Sequence, residues 1–145
     1  MFDGFTLGLI GCAAFTAVVL LSSIEAEARW CREQRRRMEC DRPALDDGDY
    51  LRTVGATADQ EALWLAARRA MAESIGLPAE AIHPSDPLAD IWRMQGPDLL
   101  DVVFRLERSL GIKISRQAIN RLPYGREPGE FRDFAAAAVG ELSAD

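Results

Sequence analysis

The sequence predicts an all-α protein, a single N-terminal transmembrane helix followed by a small four-helix bundle. Three observations predict it. Twenty consecutive residues, Phe5 to Ile24, carry no charge, which is the length a helix rising ~1.5 Å per residue needs to cross ~30 Å of hydrocarbon. Beyond residue 56, apolar residues recur at helical rather than alternating spacing. Glycines and prolines fall between those periodic stretches, where helices stop.

The N-terminal run reads as an uncleaved anchor over residues 1–24. A cleaved signal peptide is the competing reading, since Ala26-Glu27-Ala28 has the A-x-A form. Against it, the tail MFDG lacks Lys and Arg, the apolar run exceeds the ~7–15 residues of an h-region, and Glu25 and Glu27 crowd the site. Arg29, Arg32, Arg35, Arg36 and Arg37 follow the run closely. This bias places the C-terminal bulk in the cytoplasm and the N-terminus outside, in a single-pass protein of the inner (cytoplasmic) membrane. Trp30 falls where an aromatic belt meets the headgroups. Arg35, Arg36 and Arg37 are candidate contacts to anionic lipid. Gly4, Gly8 and Cys12, four residues apart, form a small-residue face on which another membrane helix can pack.

Residues 25–56 read as a charged helical stalk and linker. Glu25 to Arg29 and Glu33 to Arg37 are i,i+4 pairs. Pro43 and the acidic stretch Asp46-Asp47-Gly48-Asp49 then break the helix. These aspartates do not follow the spacing of a calcium loop.

Residues 57–145 read as the folded domain. Thr57-x-x-Gln60 has the form of a capping box. Trp64, Ala67, Met71 and Ile75, with Leu63 and Ala70 beside them, share one face of a helix stopped by Gly76. A loop with Pro78, Pro84 and Pro87 cannot be helical throughout. Gly96-Pro97 serves as N-cap and first residue of a second helix, whose stripe Leu99, Val103, Leu106 and Leu110 ends at Gly111. Ile112 and Ile114 dip towards the core before a short helix near Ser115 to Arg121, and PYGREPG makes a turn. Phe131, Phe134, Ala135, Ala138, Val139 and Leu142 mark the last helix, the clearest periodicity in the chain.

Charge narrows the function. Seventeen Lys+Arg against twenty-three Asp+Glu give −6, and the chain after Val54, with ten basic and fourteen acidic residues, holds −4 of it. Nucleic-acid binding draws on cationic contacts to phosphate, so this balance argues against a nucleic-acid partner. Lys113 is the only lysine; arginine and alanine in such excess are what a GC-rich bacterial genome encodes. Cys12, Cys31 and Cys40 match no metal or redox spacing and read as free thiols.

The stretches IGLPAEAIHPSDPLADI and DLLDVVFRLERSLGIKIS carry a more specific signal. The step Asp90-Ile91, the run L-D-x-V-x-x-x-L-E and the glycine followed by I-x-I resemble the loop and second helix of acyl carrier proteins and related phosphopantetheine-binding domains. The resemblance covers about Thr57 to Leu142. It implies a four-helix carrier in which a serine, in a D-S-L motif at the start of helix two, bears the prosthetic group. That serine is missing: its position falls on Gln95 or Gly96, and no Ser or Thr occurs between Asp86 and Arg108. The resemblance therefore implies a carrier-like domain with no cofactor and no catalytic residue, acting as a protein-interaction or scaffold module. The partner surface it implies comprises Trp92, Met94, Gln95, Gly96, Asp98 and Asp101. The partner class is an enzyme of lipid or acyl metabolism.

Two alternatives stand beside this reading. One is a functional acyl carrier, in a membrane-associated lipid or polyketide pathway, with an atypical attachment point. The other is a membrane-tethered DNA-binding regulator using SRQAINRLPYGR, with Arg116, Asn120, Arg121 and Arg126 as the contacts. His83, the only histidine, reads as a solvent-exposed loop residue, because Ser85 and Asp86 are too near in sequence to form a triad with it.

Overall fold

The computed structural model describes the backbone of residues 4–95, 98–123 and 129–143, and the same residues' side chains apart from 4–14 and Gln95. All the regular structure among these residues is helical: α1 (Gly4–Glu39), α2 (Asp47–Val54), α3 (Glu61–Ile75), a 3₁₀ turn (Ala79–Ala81), α4 (Leu88–Gln95), α5 (Leu99–Leu110), α6 (Arg116–Ile119) and α7 (Phe131–Leu142). The chain divides into two compact units, residues 1–34 and 35–145.

In the first unit, Phe15, Val18, Val19, Leu20, Leu21 and Ile24 are all exposed. The hydroxyls of Ser22 and Ser23 donate to the carbonyls of Val19 and Leu20 at 2.9 and 2.8 Å, so their polarity is absorbed within the helix. Arg29 donates from Nε to the backbone carbonyl of Glu25 at 3.4 Å. Among the described residues, no helix is long and apolar enough to cross a membrane. Residues 5–14, half of the uncharged run, contribute no described side chains. The small-residue face of Gly4, Gly8 and Cys12 lies outside the described side chains with them.

The second unit is built around α3, which packs against α2, α4, α5, α7 and the 3₁₀ turn. Its sequence explains that place. Ala66, Ala67, Ala70 and Ala72 are buried on several sides of the helix and let neighbouring backbones approach, while Trp64, Met71 and Ile75 fill the gaps. Val102, Val103 and Leu106 of α5 and Phe131, Phe134, Ala135, Ala138 and Val139 of α7 complete the core. Two chain reversals use glycines in the left-handed region, Gly76 at φ 68° and Gly111 at φ 68°, where any Cβ would be strained.

Three local expectations change. Thr57 and Gln60 form a turn rather than a capping box: α3 starts at Glu61, and Gln60 makes no side-chain capping bond. The cap of α5 is Asp98, whose carboxylate accepts from the Asp101 amide at 3.1 Å; Gly96 and Pro97 lie outside the described residues. Ile112 is exposed, whereas Ile114 packs partly against the core. Ser115 caps α6 through the Ala118 amide at 3.1 Å, in the expected short helix. The turn PYGREPG, 123–129, falls mostly on residues 124–128, outside those described.

The second compact unit spans residues 35–145, and within it the acidic stretch is a helix start. Asp46 caps α2 by accepting from Asp49 N at 2.7 Å, and Asp47 and Asp49 lie in the first turn, where carboxylates favour the helix dipole. Tyr50 then inserts, fully buried, against Trp64, with ring centroids 6.5 Å apart.

Candidate functional site

Two polar constellations and one surface stand out. The first holds the segment 42–50 against the domain. Arg68 is fully buried, yet every nitrogen of its guanidinium is used: Nε donates to Ile82 O at 3.1 Å, Nη1 to Asp47 Oδ1 at 3.1 Å and Nη2 to Leu45 O at 2.7 Å. Its planar head lies 4.4 Å from the centroid of the Tyr50 ring, a cation-π contact. Burial pushes the Arg68 pKa down, opposed by Tyr50 and Asp47, and burial pushes the Tyr50 hydroxyl well above its ordinary range.

The second joins Arg42, Asp86 and His83. Arg42 grips the buried Asp86 carboxylate with both Nη atoms, one bond being 2.8 Å, and also donates to Ala81 O. Asp86 Oδ2 accepts from the His83 amide at 2.7 Å, and the His83 Nε2 lies 3.2 Å from Pro43 O. His83 is thus half-buried rather than solvent-exposed as its loop position suggests. Burial, then the Arg42 charge, lower its pKa below the usual 6.5. In both constellations the charges are spent on holding chain to chain, the ordinary role of buried ions, while Arg42 Nε and the Tyr50 hydroxyl are buried without a hydrogen-bond partner among the described residues.

The surface is the outer face of α5. Leu100, Phe104 and Ile112 are 67%, 58% and 37% exposed, an apolar line with Arg108 between its last two members. Phe104 stands between two open depressions. One, of about 460 Å³, is lined by Glu73, Asp101, Arg105, Arg108 and Ser109 with Phe104 itself. The other, of about 330 Å³, is lined by Glu107, Arg108, Gly111, Ile112 and Lys113 with Phe104. Arg105 donates to Asp101 Oδ2 at 2.8 Å and to Glu73 Oε2 at 3.2 Å, tying α5 to α3; the Asp101 bond raises its pKa. Glu107 accepts from Ile114 N at 2.8 Å and Lys113 Nζ at 2.9 Å, which hold its carboxyl below the usual range.

Of the expected partner residues with described side chains, Trp92 lies apart from Asp98 and Asp101. Trp92 is 4% exposed and meets Phe134 edge-on, with centroids 5.6 Å apart, so it is a core residue rather than a docking contact. Its i,i+4 spacing from Leu88 on α4 puts both indoors. Met94 is half-buried against the core, while the side chain of Gln95 and all of Gly96 lie outside the described residues. Asp98 is exposed at the head of α5, and half-buried Asp101 lies one turn along it, so these two do border the surface. Leu100, Phe104 and Ile112 were the residues to find. The available signal was a second i,i+4 apolar pair, Leu100 and Phe104, offset by one from the core stripe through Leu99 and Val103.

Of the candidate lipid contacts, Arg35 donates from Nη1 to Gly76 O at 3.2 Å, Arg36 pairs with Asp41 at 3.7 Å, and Arg37 is exposed. Of the DNA-contact residues, Arg116 and Asn120 are exposed, Arg121 pairs with Glu141 at 3.0 Å, and Arg126 lies outside the described residues. Comparison of the chain with protein-family models, with curated proteins and with solved structures gave no match.

Proposed function

We propose that this chain is a membrane-anchored, carrier-like interaction module that carries no phosphopantetheine and catalyses no reaction. The observation that carries the reading is the outer face of α5, with exposed Leu100 and Phe104 on the helix that follows Gln95 and Gly96, the positions at which the resemblance would put a carrier's serine. Isolated exposed apolar residues are ordinary, but a line of them along one helix is the surface feature that marks a binding face. The absence of any hydroxyl residue between Asp86 and Arg108 leaves Ser85 and Ser109 as the nearest ones. Ser109 sits at the end of α5 and donates to Leu106 O at 3.1 Å. The anchor reading rests on the uncharged run Phe5–Ile24, on the arginines that follow it, and on Ser22 and Ser23 bonding within the helix, as hydroxyls in a bilayer must.

Intact mass and membrane fractionation of the natively expressed protein test this together. The expected outcome is an alkaline-wash-resistant membrane protein at the mass of the unprocessed chain. A gain of about 340 Da, the mass of a phosphopantetheine modification, would restore the carrier alternative. Loss of residues up to Ala28 would replace the anchor with a signal peptide.

A further inference from the structure

We propose that the end of α5 and the turn after Gly111 dock on the surface of an anionic bilayer, with Phe104 and Ile112 entering the headgroup layer and Arg108 and Arg116 meeting lipid phosphates. The inference rests on the anchored reading above, which tethers the second unit to a bilayer and so lets a weak contact be populated. The argument is the distribution of charge. Residues 107–121 hold four of the ten basic residues after Val54 and one of the fourteen acidic ones, so this segment is cationic within an acidic domain. Its acid, Glu107, has a side chain only 14% exposed and is spent on Lys113 Nζ and the Ile114 amide. Arg121 is spent on Glu141. That leaves Arg108 and Arg116, both exposed and neither with an ion-pair partner among the described residues.

Apolar exposure coincides with that uncompensated charge. Phe104 is 58% and Ile112 37% exposed, and both line the open hollow of about 330 Å³ that has Arg108 and Lys113 on its walls. Gly111, at φ 68°, ends α5, and residues 111–113 are exposed in succession, so Ile112 stands on a turn that can enter headgroups without moving the core. Exposed apolar side chains flanked by unpaired cations are the composition of a segment that lies in the interface of an anionic membrane. The ring and methyls take the acyl boundary and the guanidiniums take the phosphates. Leu100, at the other end of the helix, lies between Asp98 and Asp101 in sequence and takes no part. A nucleic-acid duplex would use the arginines and leave Phe104 and Ile112 uncovered.

The test uses the full chain with Cys12, Cys31 and Cys40 replaced by serine and an environment-sensitive fluorophore on Ile112→Cys, reconstituted in phosphatidylcholine vesicles with and without phosphatidylglycerol. Flotation with the uncharged vesicles reports the anchor; quenching of the fluorophore by a spin-labelled lipid reports the docking. The expected result is quenching in the phosphatidylglycerol vesicles, little in pure phosphatidylcholine, and none from the same fluorophore on Glu80→Cys, an exposed position on the 3₁₀ turn. Arg108→Gln and Arg116→Gln should each lower the ratio of docked to undocked chains about fivefold, the loss of one cation near an anionic surface, and Phe104→Gln should lower it too. All three side chains are exposed, so the variants should keep the helical signal and melting of the parent, which separates lost docking from lost folding. Quenching that is absent from both vesicles, equal in both, or indifferent to Arg108→Gln overturns the proposal in a chain that floats. A fluorophore shielded from water yet unquenched by the lipid overturns it as well and leaves the surface to a protein. Flotation only with the anionic vesicles, with Ile112→Cys quenched, removes the anchor and keeps the docking.

Discussion

Arg68 is the residue on which the second unit closes. A buried guanidinium is tolerated because two carbonyls, one carboxylate and one aromatic face replace its hydration. Arg68→Ala should destabilise the fold by about 3 kcal/mol in urea unfolding, because Ile82 O and Leu45 O lose their donor inside the protein. Tyr50→Phe should be neutral or stabilising in the same assay, since its hydroxyl is buried without a partner among the described residues. Trp92→Ala should cost about 3–5 kcal/mol, the range for emptying a large core aromatic, rather than weakening association in a folded protein. His83 adds a pH dependence with a definite sign. Its folded pKa is depressed, so the unfolded chain binds the proton more readily, and stability is lost as pH falls through 6.5. Urea unfolding at pH 7.5 and 5.5 should show a drop that His83→Gln reduces.

At the scale of elements, caps and chain reversals place the helices. Asp98 sets where α5 begins, and Asp98→Ala should lower stability by about 1 kcal/mol. The start of α7 adds a second fastening to its own carboxylate cap, in which the Glu130 amide donates to Asp133 Oδ2 at 2.7 Å. The Phe131 and Arg132 amides donate to Asp86 O and Pro84 O at 2.8 and 2.9 Å, so the proline loop fills in for the missing turn of helix. Leu88 N reciprocates by donating to Gly129 O at 3.0 Å, in an isolated antiparallel bridge between Pro87 and Glu130. The loop that prolines forbid from being helical is thereby a shared fastening for α4 and α7.

For the whole molecule, the strap from Arg35 to Tyr50 belongs to the folded unit. Met38 and Tyr50 enter the core, Leu45 N donates to Glu80 O at 2.9 Å, and Arg42 neutralises Asp86. A chain starting at residue 57 should therefore fail to melt cooperatively by circular dichroism, with Asp86 and Arg68 deprived of partners, while one starting at residue 35 should fold.

The sequence by itself determined the helical class and the places of α3, α5, α6 and α7. Their stripes are long enough for a 3.6-residue period to declare itself, and Gly76, Gly111 and Ser115 act through local backbone chemistry. Only the tertiary structure decided the rest. In α2 and α4, each eight residues long, a few apolar residues serve a helix and a loop equally well until a core exists to receive Tyr50, Ile91 and Trp92. Nothing in the sequence marks Arg42, Arg68 and Asp86 for burial, because a charged side chain is buried only when distant groups converge on it, and that convergence has no local signature. The same holds for Leu100 and Phe104, whose exposure follows from α3 covering the other side of their helix.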